Sequence, residues 1–252
     1  MVDHTVIMER SMPVKAENQT LYAYEMLRQK ILNQELEPGG KINQVEVAQE
    51  IGVSRTPVAK ALSRLESEGL VDNASNHGFV VHETTVVELL EFYTVRESLE
   101  IIIVNEAIDK ATRQQLDELE DLFAPYTGKW TQPSIKAYWL ADRMFHNAMV
   151  AMCTNKLVIR INNMCQVYYR TFIAGVIRNP EESIKEHKQL IKALREKDIN
   201  TARVTAIQHT APTREALQNM VDQLHKIGID PATVSIRSLR GSPKKDSRLV
   251  WV

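Results

Sequence analysis

The chain has 252 residues, length enough for two modest domains or a single large one. Its 44% hydrophobic and 25% charged content fits an ordinary globular protein, and a net charge of -1 neither favours nor excludes a nucleic-acid partner. No apolar run approaches the roughly 18 residues needed to cross a bilayer, and the amino end lacks a signal-peptide pattern. A cytoplasmic protein with no membrane partner is the expectation.

Residues 1–18 carry no sustained period and read as a flexible arm. From Thr20, Leu21, Tyr24, Leu27, Ile31 and Leu32 recur at helical spacing until Pro38-Gly39-Gly40 stops the helix. Lys41-Ile42 leaves room for one short strand. Asn43 with Glu46 has the pattern of a capping box for a helix carrying Val45, Val47, Ala48 and Ile51. Gly52-Val-Ser-Arg-Thr-Pro-Val58 joins that helix to the next: Gly52 ends one, Ser54 can cap the other, and Pro57 is tolerated only in a first turn. The second helix is expected from about Thr56 to Glu68, burying Val58, Ala61, Leu62 and Leu65, with Gly69 as its left-handed stop. Leu70-Val71 and Phe79-Val80-Val81 are short β runs around a turn-rich stretch from Asp72 to Gly78. Three helices and a hairpin make residues 19–82 a winged helix-turn-helix, which presents its second helix amino-end first to a DNA major groove.

His82-Glu83-Thr84-Thr85 reads as a polar hinge. Beyond it, to about Gly228, six or seven amphipathic helices are expected, with breaks near Lys110-Ala111, Tyr126 to Lys129, Thr154-Asn155 and Asn179-Pro180. The fold class is therefore mainly α, with an all-α helical bundle over residues 83–228. Residues 229–252 hold Pro231, Gly241, Pro243 and five basic residues. They read as a flexible basic tail, with a docking segment as the alternative. Cys153 and Cys165 lack C-x-x-C spacing and are expected to be reduced and buried.

Glu37-Pro38-Gly39, Val47-Ala48, Gly52 to Val58, Ala61-Leu62, Arg64-Leu65-Glu66 and Glu68-Gly69-Leu70 together resemble a GntR-family transcriptional regulator. The helical remainder resembles the FCD effector domain of the FadR-like branch, through Val95-Arg96 with Leu99-Glu100, Asp142 with Phe145-His146, His187 and His209. The resemblance spans about residues 18–228. It implies a regulator rather than an enzyme, and repression relieved by an effector. Ala59 stands where the family usually has Arg and Lys60 where it has Glu, while Val45 occupies a place that is Arg in some members. The family's operator sequence therefore does not carry over.

The first 83 residues hold slightly more acidic than basic side chains, but Lys41, Arg55, Lys60 and Arg64 cluster around the second helix. Ser54 and Thr56 can bond phosphate from a helix amino end. Arg55 is the candidate for direct readout, since its planar fork matches the two acceptors of a guanine edge. Arg64 reaches phosphate or closes an internal pair. His77-Gly78 falls at the wing tip and resembles wings that enter a minor groove. One recognition helix reads only a few base pairs, so a homodimer on an inverted repeat of double-stranded DNA is the expected partner arrangement.

Asp142 and His146 are one helical turn apart on a face otherwise made of Ile135, Tyr138, Trp139, Phe145 and Met149. Burying an ionised Asp there is costly unless something positive meets it. His187 interrupts the stripe Ile184, Ile191, Leu194, and His209 lies along the small residues Ala202, Ala206 and Thr213. One carboxylate and three imidazoles suit zinc or another borderline divalent metal, nickel or manganese included. Arg96 shares a face with Leu89, Phe92, Tyr93 and Ile103, and Arg170 shares one with Asn163 and Gln166. Together Arg96, Asn163, Gln166 and Arg170 suggest a pocket for a small carboxylate effector such as a sugar acid or other organic acid. An internal pair of Arg96 with Glu100 is the alternative. Two other functions stay open on these residues: a metal-dependent enzyme using the Asp-His-His-His set, and an architectural DNA-binding dimer.

Overall fold

The computed structural model describes residues 16–74, 78–126, 128, 130–165 and 180–238. The chain divides into two compact units, residues 1–82 and 83–252.

In the first unit, α1 (Ala16–Leu32) and α3 (Arg55–Ser67) pack against each other, with α2 (Gln44–Glu50) alongside α3. Their shared interior is Ala23, Leu27 and Ile31 from α1 and Val58, Ala61, Leu62 and Leu65 from α3, all fully buried. The expected glycine stops hold. After α2, Gly52 takes φ +69° and Val53 N–H reaches the Ala48 carbonyl. After α3, Gly69 takes φ +70°, and Gly69 and Leu70 bond back to Glu66 and Leu65. Both are left-handed terminations that close the last helical carbonyls. Antiparallel strands β1 (Val71–Ala74) and β2 (Gly78–Val81) form the wing, with Val71 opposite Val81 and Ala74 opposite Gly78. Lys41-Ile42 contributes one bridge instead of a strand: Lys41 lies opposite Val80, and Ile42 N–H bonds the Phe79 carbonyl at 2.9 Å.

Two local expectations need correction. Asn43 accepts from the Val45 and Glu46 N–H groups, but the return half of a capping box is absent among the described residues. Ser54 occupies the cap position of α3 in extended backbone, yet its side chain makes no capping bond. α3 also starts and stops one residue earlier than the apolar period suggests, a normal margin for frayed helix ends.

The second unit shows six α-helices among the described residues: α4 (Val86–Lys110), α5 (Arg113–Asp121), α6 (Gln132–Ala151), α7 (Lys156–Met164), α8 (Pro180–Glu196) and α9 (Ile199–Lys226). Thr85, Thr112 and Thr131 cap α4, α5 and α6 with reciprocal bonds to Glu88, Gln115 and Ser134. α4 and α9 run antiparallel along each other, cross-linked by Arg203 to Asn105 at 2.7 Å and Arg214 to Glu97 at 3.1 Å. Among the described residues, apolar packing gathers in two clusters. One holds Phe123, Tyr138, Phe145, Met149 and Leu194; the other joins Val86, Leu89 and Phe92 to Leu217 and Leu224.

The break between α8 and α9 carries neither Gly nor Pro. Lys197 itself takes the left-handed conformation at φ 57°, while Asp198 N–H returns to the Ala193 carbonyl. The Lys197 ammonium bonds the Ile108 carbonyl, a tertiary contact that holds this otherwise unfavourable backbone.

The presumed tail begins docked. Ile236 is buried in the second cluster, Ile236 N–H bonds the Thr84 carbonyl at 2.9 Å, and Val86 N–H bonds the Val234 carbonyl at 3.0 Å. Residues 229–238 thus belong to the helical unit, and Thr84 and Thr85 from the second half of the expected hinge pair with them. Alternation was too short to reveal this strand-like pairing in the sequence. Cys153 is buried and Cys165 half-buried, both as free thiols, with burial raising each thiol above its ordinary value. Among the described residues, no helix is long and apolar enough to cross a membrane.

Candidate functional site

The exposed face of α3 carries one group of candidates. Arg55 and Thr56 form its exposed first turn, Lys60 follows on the same helix, and Lys41 is exposed next to the wing. That turn holds no acidic residue, so the unpaired N–H groups of the helix start face solvent with only positive charge beside them. Among the described residues, Arg55 and Lys60 form no ion pair. Arg64 differs. Its guanidinium lies 3.8 Å from the Tyr24 ring centroid and 3.3 Å from Glu68, which also accepts from the Tyr24 hydroxyl at 2.8 Å. Of the two roles open to Arg64, the structure displays the internal pair. Gly78 is exposed at φ +73° where β2 begins, and His77 lies outside the described residues.

The second group lies inside the helical unit. Asp142 and His146 come from α6, His187 from α8 and His209 from α9. One ligand-type atom from each falls within 4.8 Å of all the others. His146 Nε2 is 3.2 Å from His209 Nε2 and 3.9 Å from Asp142 Oδ2, and His187 Nε2 is 3.5 Å from Asp142 Oδ1. Three of the four are buried.

Each group is held differently. The His187 ring stacks on Phe123 at 4.7 Å and leans on Phe145 at 4.3 Å. His209 Nδ1 lies 2.9 Å from Glu186 Oε2. His146 Nδ1 stands 3.1 Å from Glu100 Oε1, and Asp142 Oδ1 accepts from the Tyr138 hydroxyl at 3.3 Å. Arg96 joins the cluster: Nε donates to Glu100 at 3.1 Å and Nη2 to His146 Nε2 at 2.6 Å. A guanidinium has no acceptor, so in this contact His146 accepts through Nε2.

The electrostatics fit a cation. Burial raises the Asp142 carboxyl more than His146, Arg96 and the Tyr138 bond lower it, so Asp142 resists ionisation without further positive charge beside it. Burial also drives His187 well below its ordinary value, with His209, His146 and Arg96 adding repulsion; its imidazole stays neutral, as a ligand must. Glu100 behaves oppositely. Burial pushes it up, but His146 and then Arg96 outweigh burial and hold it far below the usual carboxylate range. Both nitrogens of His187 are buried and lack a hydrogen-bond partner among the described residues. An imidazole so placed forfeits the bonds it had in water, and a cation at the centre would restore one of them.

The four effector candidates fare unevenly. Arg96 is buried beside the four donors. Asn163 is exposed on α7, where the inward positions are Val158 and Asn162, one turn apart. Asn163 thus stands one residue off the buried face of α7. Gln166 and Arg170 lie outside the described residues. Two carboxylates behind the imidazoles were not assigned this place. In the sequence, Glu100 reads only as a partner for Arg96. Glu186 gave no signal, because a Glu on a helix flank reads as solvated until the neighbouring helix is in position.

Comparison with known proteins divides the chain into the same two parts. The sequence profile described as bacterial regulatory proteins, gntR family, matches residues 19–81, and that of the FCD domain matches residues 91–226. The HTH-type transcriptional regulator YdhC of Bacillus subtilis is 26% identical over 212 residues, covering 81% of this chain and 92% of its own. The HTH-type transcriptional repressor RspR of Escherichia coli is 22% identical over 213 residues, covering 82% and 92%. In fold, the chain is similar to E. coli McbR/YncC, with a TM-score of 0.62 at 23% identity over 80% of this chain and 98% of that one. These relatives are transcriptional regulators and not enzymes. With its reading helix in the first matched region and the Asp-His-His-His cluster in the second, the chain belongs to the GntR family of DNA-binding transcriptional regulators, in the group that carries an FCD domain.

Proposed function

We propose that this regulator is a homodimeric repressor whose helical unit binds a divalent metal and a small carboxylate. Asp142, His146, His187 and His209 would hold the metal, zinc in the first instance, with nickel or manganese as alternatives from the same donor chemistry. The single observation that carries this reading is the convergence of four ligand atoms from three helices, one of them on a buried histidine whose nitrogens lack a hydrogen-bond partner among the described residues. A bound divalent ion would supply Lewis acidity and a fixed positive charge for an anionic effector. Arg96 already lies against His146, so a carboxylate at that centre would meet its guanidinium as well. A sugar acid or another small organic acid has the right chemistry; Asn163 is a weaker contributor, given its exposure.

Arg55 would read base edges, with Lys41, Ser54, Thr56 and Lys60 on phosphates and His77-Gly78 at the wing tip. Arg64 would steady α3 on α1 in addition to any phosphate contact. Two copies on an inverted repeat would give useful specificity, and the exposed Val95, Ile102, Val204 and Ile207 on α4 and α9 offer apolar surface for association. RspR is a transcriptional repressor, which supports the same sign here. A cytoplasmic location follows from this role.

Native mass spectrometry with metal analysis of the purified protein tests the reading. The expected result is a dimer with one divalent ion per chain and a co-purified small acid. Protein that carries no metal and gains no thermal stability from zinc, nickel or manganese would refute the metal assignment.

A further inference from the structure

Glu186 has no part in the metal reading above, and it has its own geometry. It precedes His187 on α8, and consecutive helical residues point about 100° apart. His187 therefore enters the core at 1% exposure, while Glu186 lies on the flank of α8 that faces α9. There its Oε2 stands 2.9 Å from His209 Nδ1, with Glu186 about one-fifth exposed and His209 one-tenth. An ionised carboxylate only accepts, so in this contact His209 donates through Nδ1, which turns its Nε2 towards the centre, 3.2 Å from His146 Nε2. α8 thus contributes twice: one donor directly, and one carboxylate behind a donor on the next helix.

We infer that Glu186 is the positioning residue for His209, fixing the tautomer and aim of that imidazole and raising its basicity towards a divalent cation; this rests on the metal reading above. Imidazoles that bind metals commonly pass their second N–H to a carboxylate, and removing that partner costs metal affinity. His187 is the internal contrast: aromatic rings hold it, and no carboxylate supports its Nδ1 among the described residues.

The test uses the full chain and two variants, Glu186→Gln and Glu186→Ala, with zinc and cobalt(II) as probes. Gln keeps an acceptor for Nδ1–H but removes the charge, and Ala removes both. Competition against a chromophoric chelator should show zinc affinity about tenfold weaker for Glu186→Gln and towards a hundredfold weaker for Glu186→Ala. The cobalt d–d spectrum should change in Glu186→Ala and be largely retained in Glu186→Gln, while the melting temperature of all three proteins in chelator stays the same. Wild-type affinity and spectrum in both variants would overturn the role of Glu186 and leave the metal reading standing. Affinity lost in step with the melting temperature of the chelated protein would also overturn it, by assigning Glu186 to the scaffold. Wild-type protein that binds neither ion would overturn the metal reading and this inference together.

Discussion

The two units treat charge in opposite ways. The first keeps its candidate DNA-contacting cations, Arg55 and Lys60, in solvent on a helix whose buried side is wholly apolar. The second takes Arg96, Glu100, Asp142, His146 and His187 out of water and meets most of them with one another. Solvent-exposed charge costs the fold little and can be replaced freely, so in the first unit stability and recognition are carried by different residues. Buried charge must be matched, so in the second unit the residues that would bind a ligand also hold the structure. Substitutions should therefore separate stability from function in the first unit and damage both in the second.

The largest expected effect is at the buried pair. Arg96→Ala leaves Glu100 ionised without its guanidinium and should cost about 3–5 kcal/mol in chemical denaturation, with Glu100→Ala similarly damaging. Replacing both together by apolar residues of similar size should recover much of the loss. A mild Arg96→Ala phenotype, combined with loss of effector response, would place Arg96 on the ligand side alone and erase the contrast between the units.

Metal linkage comes next. A ligand at a hundred times its dissociation constant stabilises the native state by about 2.7 kcal/mol. Zinc at that excess should raise the melting temperature of the wild type, and His187→Ala should abolish the rise. Equal response of the variant and the wild type would exclude His187 from the binding set. On the other unit, Arg55→Ala should weaken specific DNA binding by about 1–3 kcal/mol in a titration and leave thermal melts unchanged. The same loss on random duplex would reduce Arg55 to a phosphate contact. The smallest effect should come from Asn43→Ala, which removes the cap on α2 and should cost about 1 kcal/mol of stability. No measurable change would mean that solvent satisfies those N–H groups equally well.

How much of this could be read beforehand followed the same divide. The helix-turn-helix is written in local chemistry: Gly52 and Gly69 stop helices through backbone conformation, and both stops stand where the sequence suggested. Asp142, His146 and His187 stood out because each interrupts an apolar stripe, and His209 because it lies along the small residues Ala202, Ala206 and Thr213, anomalies that need no tertiary knowledge to notice. What stayed hidden depends on neighbours. Lys197 ends α8 in a conformation usually left to Gly, and its stabilising contact is the carbonyl of Ile108 on a distant helix. Glu186 is ordinary until α9 brings His209 to it. Asn162 and Asn163 differ only by the rotation of α7, which periodicity could not place to one residue.

The pairing of residues 234–236 with residues 84–86 brings the two ends of the described helical unit together. A unit with adjacent ends can be lifted out and grafted elsewhere without stretching its connections. The excision points follow from the same bonds. Cutting at 82 and beyond 238 keeps Val234 as acceptor for the first turn of α4 and Ile236 in its apolar cluster. Cutting at 228, where the long helices end, would open both, so a chimaera built on helix boundaries alone should be the less stable graft.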